Sequence, residues 1–315
     1  MSLSSAPLLL TPQQVHTKKV ALLDASWFMP NSPRQARQEF LSIRIPGAQF
    51  LDLDTVASPN ELGLKHMMPQ ERAFADACEK FGIRADSHVV MYGLSVASSR
   101  TPRALFMFRT FGHHNSSVLD GGLPAWIAEG LPVENRDPSP VQHTEYPTPT
   151  LHAKSLRNLV ILKIFEAYEQ IVANLNLDPS TNPDADLILD ARSRGRYSGA
   201  DPEPRAGLSS GHMPHSLSLP FNVFLRQNGG PHDAKYTTFL PPEEVRKALD
   251  EAVGSERAEL IVKGEQPVTT TCGSGMTAGI LWLGLKLLGV ERISLYDESW
   301  TGYAMRATSK IEKSQ

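Results

Sequence analysis

The stretch "PVTTTCGSGMTAGILWLGLKLLG", residues 267–289, decides the fold. After a proline comes a β-branched run, Val268 to Thr271, that reads as a short strand. An apolar segment with no polar face follows and reads as a buried helix, stopped by Gly289. Cys272 stands between the two with Gly273 and Gly275, on a tight turn from strand into helix. Strands alternating with helices build α/β domains with mostly parallel sheets. Ligands of such sheets bind beyond the carboxyl ends of the strands, which is where Cys272 falls.

A thiol becomes a strong nucleophile when it ionises, and the N-terminus of a helix favours the thiolate. Gly273 and Gly275 let the backbone curl so that several N–H groups converge in a nest for an anion. Ser274 adds a hydroxyl, and Thr277 is placed to cap the helix. The other cysteine, Cys78 in "FADACEKFG", lies on a helical face and reads as a small buried hydrophobe. Two cysteines make neither a disulfide framework nor a four-cysteine zinc site, so both thiols are expected to be reduced.

Outward from this stretch the chain repeats itself. "VALLDAS" (20–26) has the form of "DLILDARS" (186–193), and "HVVMYG" (88–93) that of "PVTTTCG" (267–273). "ALFMFRTFG" (104–112) matches "ILWLGLKLLG" (280–289), and "SSVLDGG" (116–122) matches "ISLYDES" (293–299). The order is the same in both halves, the mark of one domain copied twice. The expected domains are 8–135 and 161–310, with a Pro-rich polar linker at 136–160 between them. A length of 315 residues suits two domains. A net charge of -3 speaks against a nucleic-acid partner, and the longest apolar runs are too short to span a bilayer. The first residues match a mitochondrial presequence only weakly. A cytoplasmic location is expected, with the mitochondrion as the alternative.

These motifs together resemble the two-domain sulfurtransferases of the rhodanese superfamily, over about residues 8–305. "CGSGMTA" is similar to the active loop of the branch that takes sulfur from 3-mercaptopyruvate, whereas the thiosulfate branch carries a basic loop. "RIPGAQFLDLD", "FGHHNSSVLDGG", "DARSRGRYSGADPEPRAG" and "LYDESW" support the resemblance. It implies two tandem rhodanese-like domains, each a mostly parallel sheet flanked by helices, with catalysis in the second. In the repeat register Ser95 falls where Cys272 falls, so the first copy lacks the nucleophile.

The resemblance assigns Cys272 as the sulfur acceptor. It gives Arg196 and Arg205 the donor's carboxylate and carbonyl, which a guanidinium fork suits on chemical grounds as well. Gly273, Gly275, Met276 and Thr277 complete the substrate loop. Ser274, His66 and Asp54 match a proton relay, with Asp52 as the fallback for Asp54 because the spacing to His66 is one residue long. No cofactor or metal is implied; His113 and His114 have no carboxylate cluster around them. The implied partners are a small-molecule sulfur donor and a thioredoxin-like or small thiol acceptor, or cyanide, with a sulfur-relay protein as a further possibility. The alternatives are a thiosulfate sulfurtransferase, or a persulfide carrier for tRNA thiolation or cofactor synthesis. A cysteine phosphatase is disfavoured, since its loop needs an arginine six residues after the cysteine and Ala278 stands there. Glu298 and His215 replace glycines of the family pattern, and a local change of backbone is expected at both. The C-terminal "AMRATSKIEKSQ" reads as polar and partly disordered.

Overall fold

The computed structural model describes residues 5–29, 32–94, 101–150, 165–230 and 235–314. Two compact units emerge. One comprises residues 1–58, 68–152 and 225–239, the other 59–67, 153–224 and 240–315. A short segment of the first half thus belongs with the second unit, and a segment of the second half with the first.

The first unit contains β1 (Leu9–Leu10), α1 (Pro12–His16), β2 (Ala21–Asp24), α2 (Ala36–Ser42), β3 (Gln49–Phe50), α3 (Leu53–Val56), α4 (Glu71–Lys80), β4 (Val89–Tyr92), α5 (Thr101–Thr110), β5 (Ser116–Leu119) and α6 (Gly122–Ala128). Its strands form a five-stranded sheet in the order β1-β5-β4-β2-β3, parallel throughout. β4 and β5 are buried along their whole length, as strands covered on both faces must be.

In the second half come β6 (Phe165–Glu166), α7 (Tyr168–Asn174), β7 (Leu187–Asp190), α8 (Arg194–Ser198), β8 (Leu217–Ser218), the hairpin strands β9 (Leu225–Gly229) and β10 (Lys235–Phe239), α9 (Pro242–Val253), α10 (Ser255–Val262), β11 (Val268–Thr271), α11 (Ala278–Leu287), β12 (Ile293–Tyr296) and α12 (Ser299–Met305). The sheet of the second unit runs β6-β12-β11-β7-β8, again parallel. The hairpin packs with the first unit, where the Asp120 carboxylate accepts the Phe239 amide at 3.0 Å.

The same hydrogen bonds recur in both units and fix their equivalence. Ala25 N donates to Tyr92 O as Ala191 N donates to Thr271 O, both at 2.8 Å. Leu123 N donates to Gly93 O as Trp300 N donates to Cys272 O, both at 2.9 Å. Gly93, not Ser95, is therefore the counterpart of Cys272. The sequence register carried the helix alignment back through the loop. From Gly93 the chain runs 19 positions to the helix-closing Gly112, and from Cys272 it runs 17 to the matching Gly289, two fewer. Ser95 itself lies outside the described residues.

Two further expectations change. The segment read as a linker is laid along the first unit as far as residue 150. Tyr146 is buried there with its hydroxyl 2.8 Å from His113 Nδ1, and Thr144 Oγ1 donates to Ile83 O. Its prolines prevent regular structure but not side-chain anchoring; residues 151–160 lie outside the described part. The C-terminal tail is ordered rather than frayed. Glu312 forms a two-way backbone bridge with His212 at 2.8 and 2.9 Å, Tyr303 Oη donates to Lys310 O, and Ser314 N donates to Ser198 O. Backbone pairing fixes it, and pairing of that kind is independent of polar composition.

The equivalence also exposes an unbalanced charge. Asp24 and Asp190 end matching strands, but Arg192 neutralises Asp190 while Ser26 stands in its place beside Asp24. Asp24 is fully buried, and burial pushes its carboxyl up to about 6 against its hydrogen bonds to Ser26. The folded state thus binds the proton more tightly than the unfolded chain. That stabilisation is full below the unfolded value of 3.8 and is lost as pH rises through about 6. Asp24→Asn is expected to raise stability by about 1–3 kcal/mol at about pH 8 and to leave it nearly unchanged at about pH 4. Urea midpoints at the two pH values check this.

Candidate active site

β11 lies at the centre of its sheet and carries three buried threonines. The buried hydroxyls of the first two find partners across the sheet. Thr269 Oγ1 donates to Asp186 at 2.9 Å and meets Ser294 Oγ at 2.7 Å, and Thr270 Oγ1 donates to Ser294 O at 3.2 Å. The strand ends at Thr271, and Cys272, only 2% exposed, begins the turn.

α12 holds the turn. Trp300 N donates to Cys272 O at 2.9 Å, and Thr301 donates to Gly273 O from both its amide (3.0 Å) and its hydroxyl (2.5 Å). Ser299 Oγ accepts the amides of Cys272 (3.2 Å) and Gly275 (3.0 Å) and donates to Tyr296 O (2.9 Å). Gly275 takes a left-handed conformation, φ 79°, that a glycine adopts freely. Among the described residues, the amides of Gly273, Ser274, Met276 and Thr277 have no protein acceptor. They sit just before α11, where the helix dipole adds to their positive potential. Thr277 occupies the N-cap position but makes no side-chain cap. Its backbone is already helical (φ -74°, ψ -16°), so the hydroxyl is not swung toward the first-turn amides. Met276 is buried beside it.

The two arginines come to the same loop. A methyl group placed on Gly273 would lie 3.1 Å from Nη2 of Arg196 and 3.5 Å from Nη1 of Arg205. Both guanidiniums thus reach the open face of Gly273, where a side chain would crowd Arg196. Arg196, on α8, is gripped by Glu203, with Nε to Oε1 at 3.1 Å and Nη2 to Oε2 at 2.5 Å. Glu203 also accepts Arg192 Nη1 at 2.7 Å. Arg192 in turn binds Asp190 at 2.6 Å and Gly211 O at 2.6 Å, and lies 4.0 Å above the Trp300 ring. Asp190, Arg192, Glu203 and Arg196 thus form a chain of alternating charges that sums to zero. Arg205 has no carboxylate within ion-pair distance among the described residues. It supplies the uncompensated positive charge.

The residues of the relay are divided between the two units. Ser274 is half-buried on the loop. His66 is 5% exposed, with a left-handed φ of 66°, in the segment 59–67 of the same unit. Leu64 of that segment reaches α12, since a methyl on Gly302 would lie 3.0 Å from its Cδ1. Among the described residues no hydrogen bond joins Ser274 to His66. Asp54 is exposed on α3 in the other unit, and Asp52 caps that helix by accepting the Asp54 amide at 3.0 Å.

Elsewhere, Cys78 is buried, and burial pushes its thiol up, away from reactivity. His113 has both ring nitrogens engaged, with Tyr146 Oη and Ser87 O. Among the described residues no cluster of His, Cys, Asp and Glu suits a metal ion, and no helix is long and apolar enough to cross a membrane. At the two altered glycines the outcomes differ. Glu298 has helical backbone (φ -69°) where its counterpart Gly121 is left-handed (φ 78°), and its carboxylate pairs with Arg306. His215 keeps a left-handed φ of 59°. Sequence reasoning missed Ser299 and the Asp190–Arg192–Glu203 chain; the first lies in "DESW" and the second in "DARS" and "DPEP", motifs quoted for other residues.

The rhodanese-like domain family matches residues 12–129 and 173–306. The chain belongs to the rhodanese family. A human relative named 3-mercaptopyruvate sulfurtransferase is 35% identical over 289 residues, 91% of this chain and 85% of that protein. Bovine thiosulfate sulfurtransferase is 36% identical over 299 residues, 93% of this chain and 88% of that protein. Among solved structures, the yeast mitochondrial complex I sub-stoichiometric sulfur transferase subunit matches with TM-score 0.80 at 26% identity, covering 98% of this chain and 100% of that one. Rhodanese relatives named for two different donors are thus equally similar, and overall identity does not separate them.

Proposed function

We propose that the chain is a sulfurtransferase that takes sulfur from 3-mercaptopyruvate onto Cys272. The observation that carries this reading is the charge of the loop. Gly273 and Ser274 add no positive charge, Arg196 is neutralised by Glu203, and Arg205 has no carboxylate partner among the described residues. Beside the Cys272 thiolate, a single guanidinium with no carboxylate partner among the described residues suits a donor with one carboxylate and is a poor host for the thiosulfate dianion.

The thiolate of Cys272 attacks the thiol sulfur of the donor. The carbon–sulfur bond breaks, its electron pair stays on carbon, and pyruvate leaves as an enolate. The proton lost from the donor thiol ends on that carbon. Arg205 clamps the carboxylate. Arg196, with one edge held by Glu203, turns its remaining donors to the carbonyl that becomes enolate-like. Ser274 is the proposed proton carrier, with His66 of the same unit behind it. The persulfide Cys272–S–S⁻ rests on the amides of Gly273, Ser274, Met276 and Thr277. A thiol acceptor, a reduced thioredoxin-like protein or a small thiol, then attacks the outer sulfur and frees the Cys272 thiolate. Delivery to a sulfur-relay protein is the second reading. It is favoured by the yeast relative, a sulfur transferase subunit of a larger mitochondrial complex, and it makes the mitochondrion a second location beside the cytoplasm.

The test is kcat/KM measured side by side with 3-mercaptopyruvate and with thiosulfate. The former is expected to be higher by about 10-fold or more; preference for thiosulfate would overturn the donor assignment. Mass spectrometry after donor alone should show one added sulfur atom on Cys272.

A further inference from the structure

The duplicated fold carries its own comparison for the active loop. Gly122 in the first unit and Ser299 in the second follow matching strands and precede the residues, Leu123 and Trp300, whose amides bond Gly93 O and Cys272 O. Both are left-handed, with φ 59° and φ 52°. Glycine adopts this conformation freely, whereas the Cβ of a serine makes it strained. In the first unit a side chain at this position would also run into Gly93 O. The second unit makes room for one and keeps the strained backbone beneath it.

That side chain has three partners. Ser299 is fully buried, and its hydroxyl accepts the Cys272 and Gly275 amides while donating to Tyr296 O. These amides belong to the residue where the chain leaves β11 and to the residue where it turns left-handed. With both held, the path of the loop between them is set, and the four amides left without acceptors are those of Gly273, Ser274, Met276 and Thr277. Backbone strain that persists beside reactive groups is a recurrent sign of such preorganisation.

We propose that Ser299 is a positioning residue for the sulfur-carrying loop: its hydroxyl fixes the loop backbone so that the remaining amides converge on the sulfur of Cys272. The inference deepens the proposed function, since it rests on Cys272 carrying the sulfur, but it does not depend on which donor supplies it. A loop that loses this anchor stabilises the thiolate and the persulfide less well, while the arginines that hold the donor are untouched.

The variants are Ser299→Gly, which removes the hydroxyl and relieves the strain, and Ser299→Ala, which removes the hydroxyl and keeps the strain. Ser299→Gly is expected to fold, because the first unit uses glycine at this position; a melting curve verifies it. In the full-length protein, the pH midpoint for alkylation of Cys272 by iodoacetamide, read by mass spectrometry of the Cys272 peptide, should rise by about one unit in both variants. With 3-mercaptopyruvate as donor, kcat should fall about 10–100-fold with KM changed by less than about threefold. A wild-type alkylation midpoint in Ser299→Gly overturns the proposal, as does an impaired Ser299→Ala beside an unimpaired Ser299→Gly, which would assign the effect to the backbone. Alkylation needs no donor. If the wild-type protein fails to take sulfur from 3-mercaptopyruvate, the donor assignment falls and the alkylation midpoints still decide the role of Ser299.

Discussion

Cys272→Ser is expected to abolish sulfur transfer from every donor while leaving the protein folded. The hydroxyl that replaces the thiol does not ionise at neutral pH, even among the loop amides, and it offers no polarisable sulfur to form the S–S bond of the persulfide. Covalent catalysis through this residue has no bypass, so pyruvate formation should fall by at least about 10³-fold. Oxygen fits the space of sulfur at a site only 2% exposed, and the loop is held by α12 through backbone atoms that the change leaves in place. The melting temperature should therefore stay within about 4 °C of the wild-type value. Mass spectrometry with donor alone gives the second measurement: the added sulfur seen on Cys272 should be absent. Retained turnover would remove Cys272 from the reaction.

Arg205→Ala is expected to cut kcat/KM for 3-mercaptopyruvate by about 10²-fold, mainly through KM. The guanidinium beside Gly273 is uncompensated, and a charge-assisted fork to a carboxylate contributes about 1.5–3 kcal/mol. Arg205→Lys should recover part of the loss, since an ammonium keeps the charge but not the two-pronged geometry. Arg196→Ala should lower kcat as well, because this side chain faces the oxygen on which charge develops as pyruvate leaves. The change also leaves Glu203 paired with Arg192 alone. Steady-state pyruvate release across donor concentrations separates the two patterns. An unchanged KM in both variants would take the arginines out of donor binding.

The alternation of strand and helix around residues 267–289 was legible because it is local: β-branched residues, a glycine turn and an all-apolar helix lie next to each other in the chain. The duplication was legible for the same reason, and Arg196 and Arg205 by resemblance. Arg196 forms an ion pair with Glu203 and still reaches the loop, which residue type alone does not reveal. The repeat register slipped at Ser95, because a difference of two residues between strand and helix end leaves no mark in the composition of either element. The ordered tail and the anchoring of residues 136–150 were not legible. They depend on backbone and side-chain partners far away in sequence, His212 and His113, and local polarity carries no information about such pairing. Ser299 was hidden for a subtler reason. A serine before a tryptophan looks ordinary until its φ is known, and a left-handed serine is meaningful only beside the glycine that replaces it in the other copy.

The tail has a practical consequence. Its bridge to His212 and the Ser314–Ser198 hydrogen bond fasten the end of α8, the short helix whose middle residue is Arg196. Replacing residues 311–314 by a flexible glycine-rich stretch would open this clasp. The loss is expected to show first as weaker binding of the donor rather than as loss of fold.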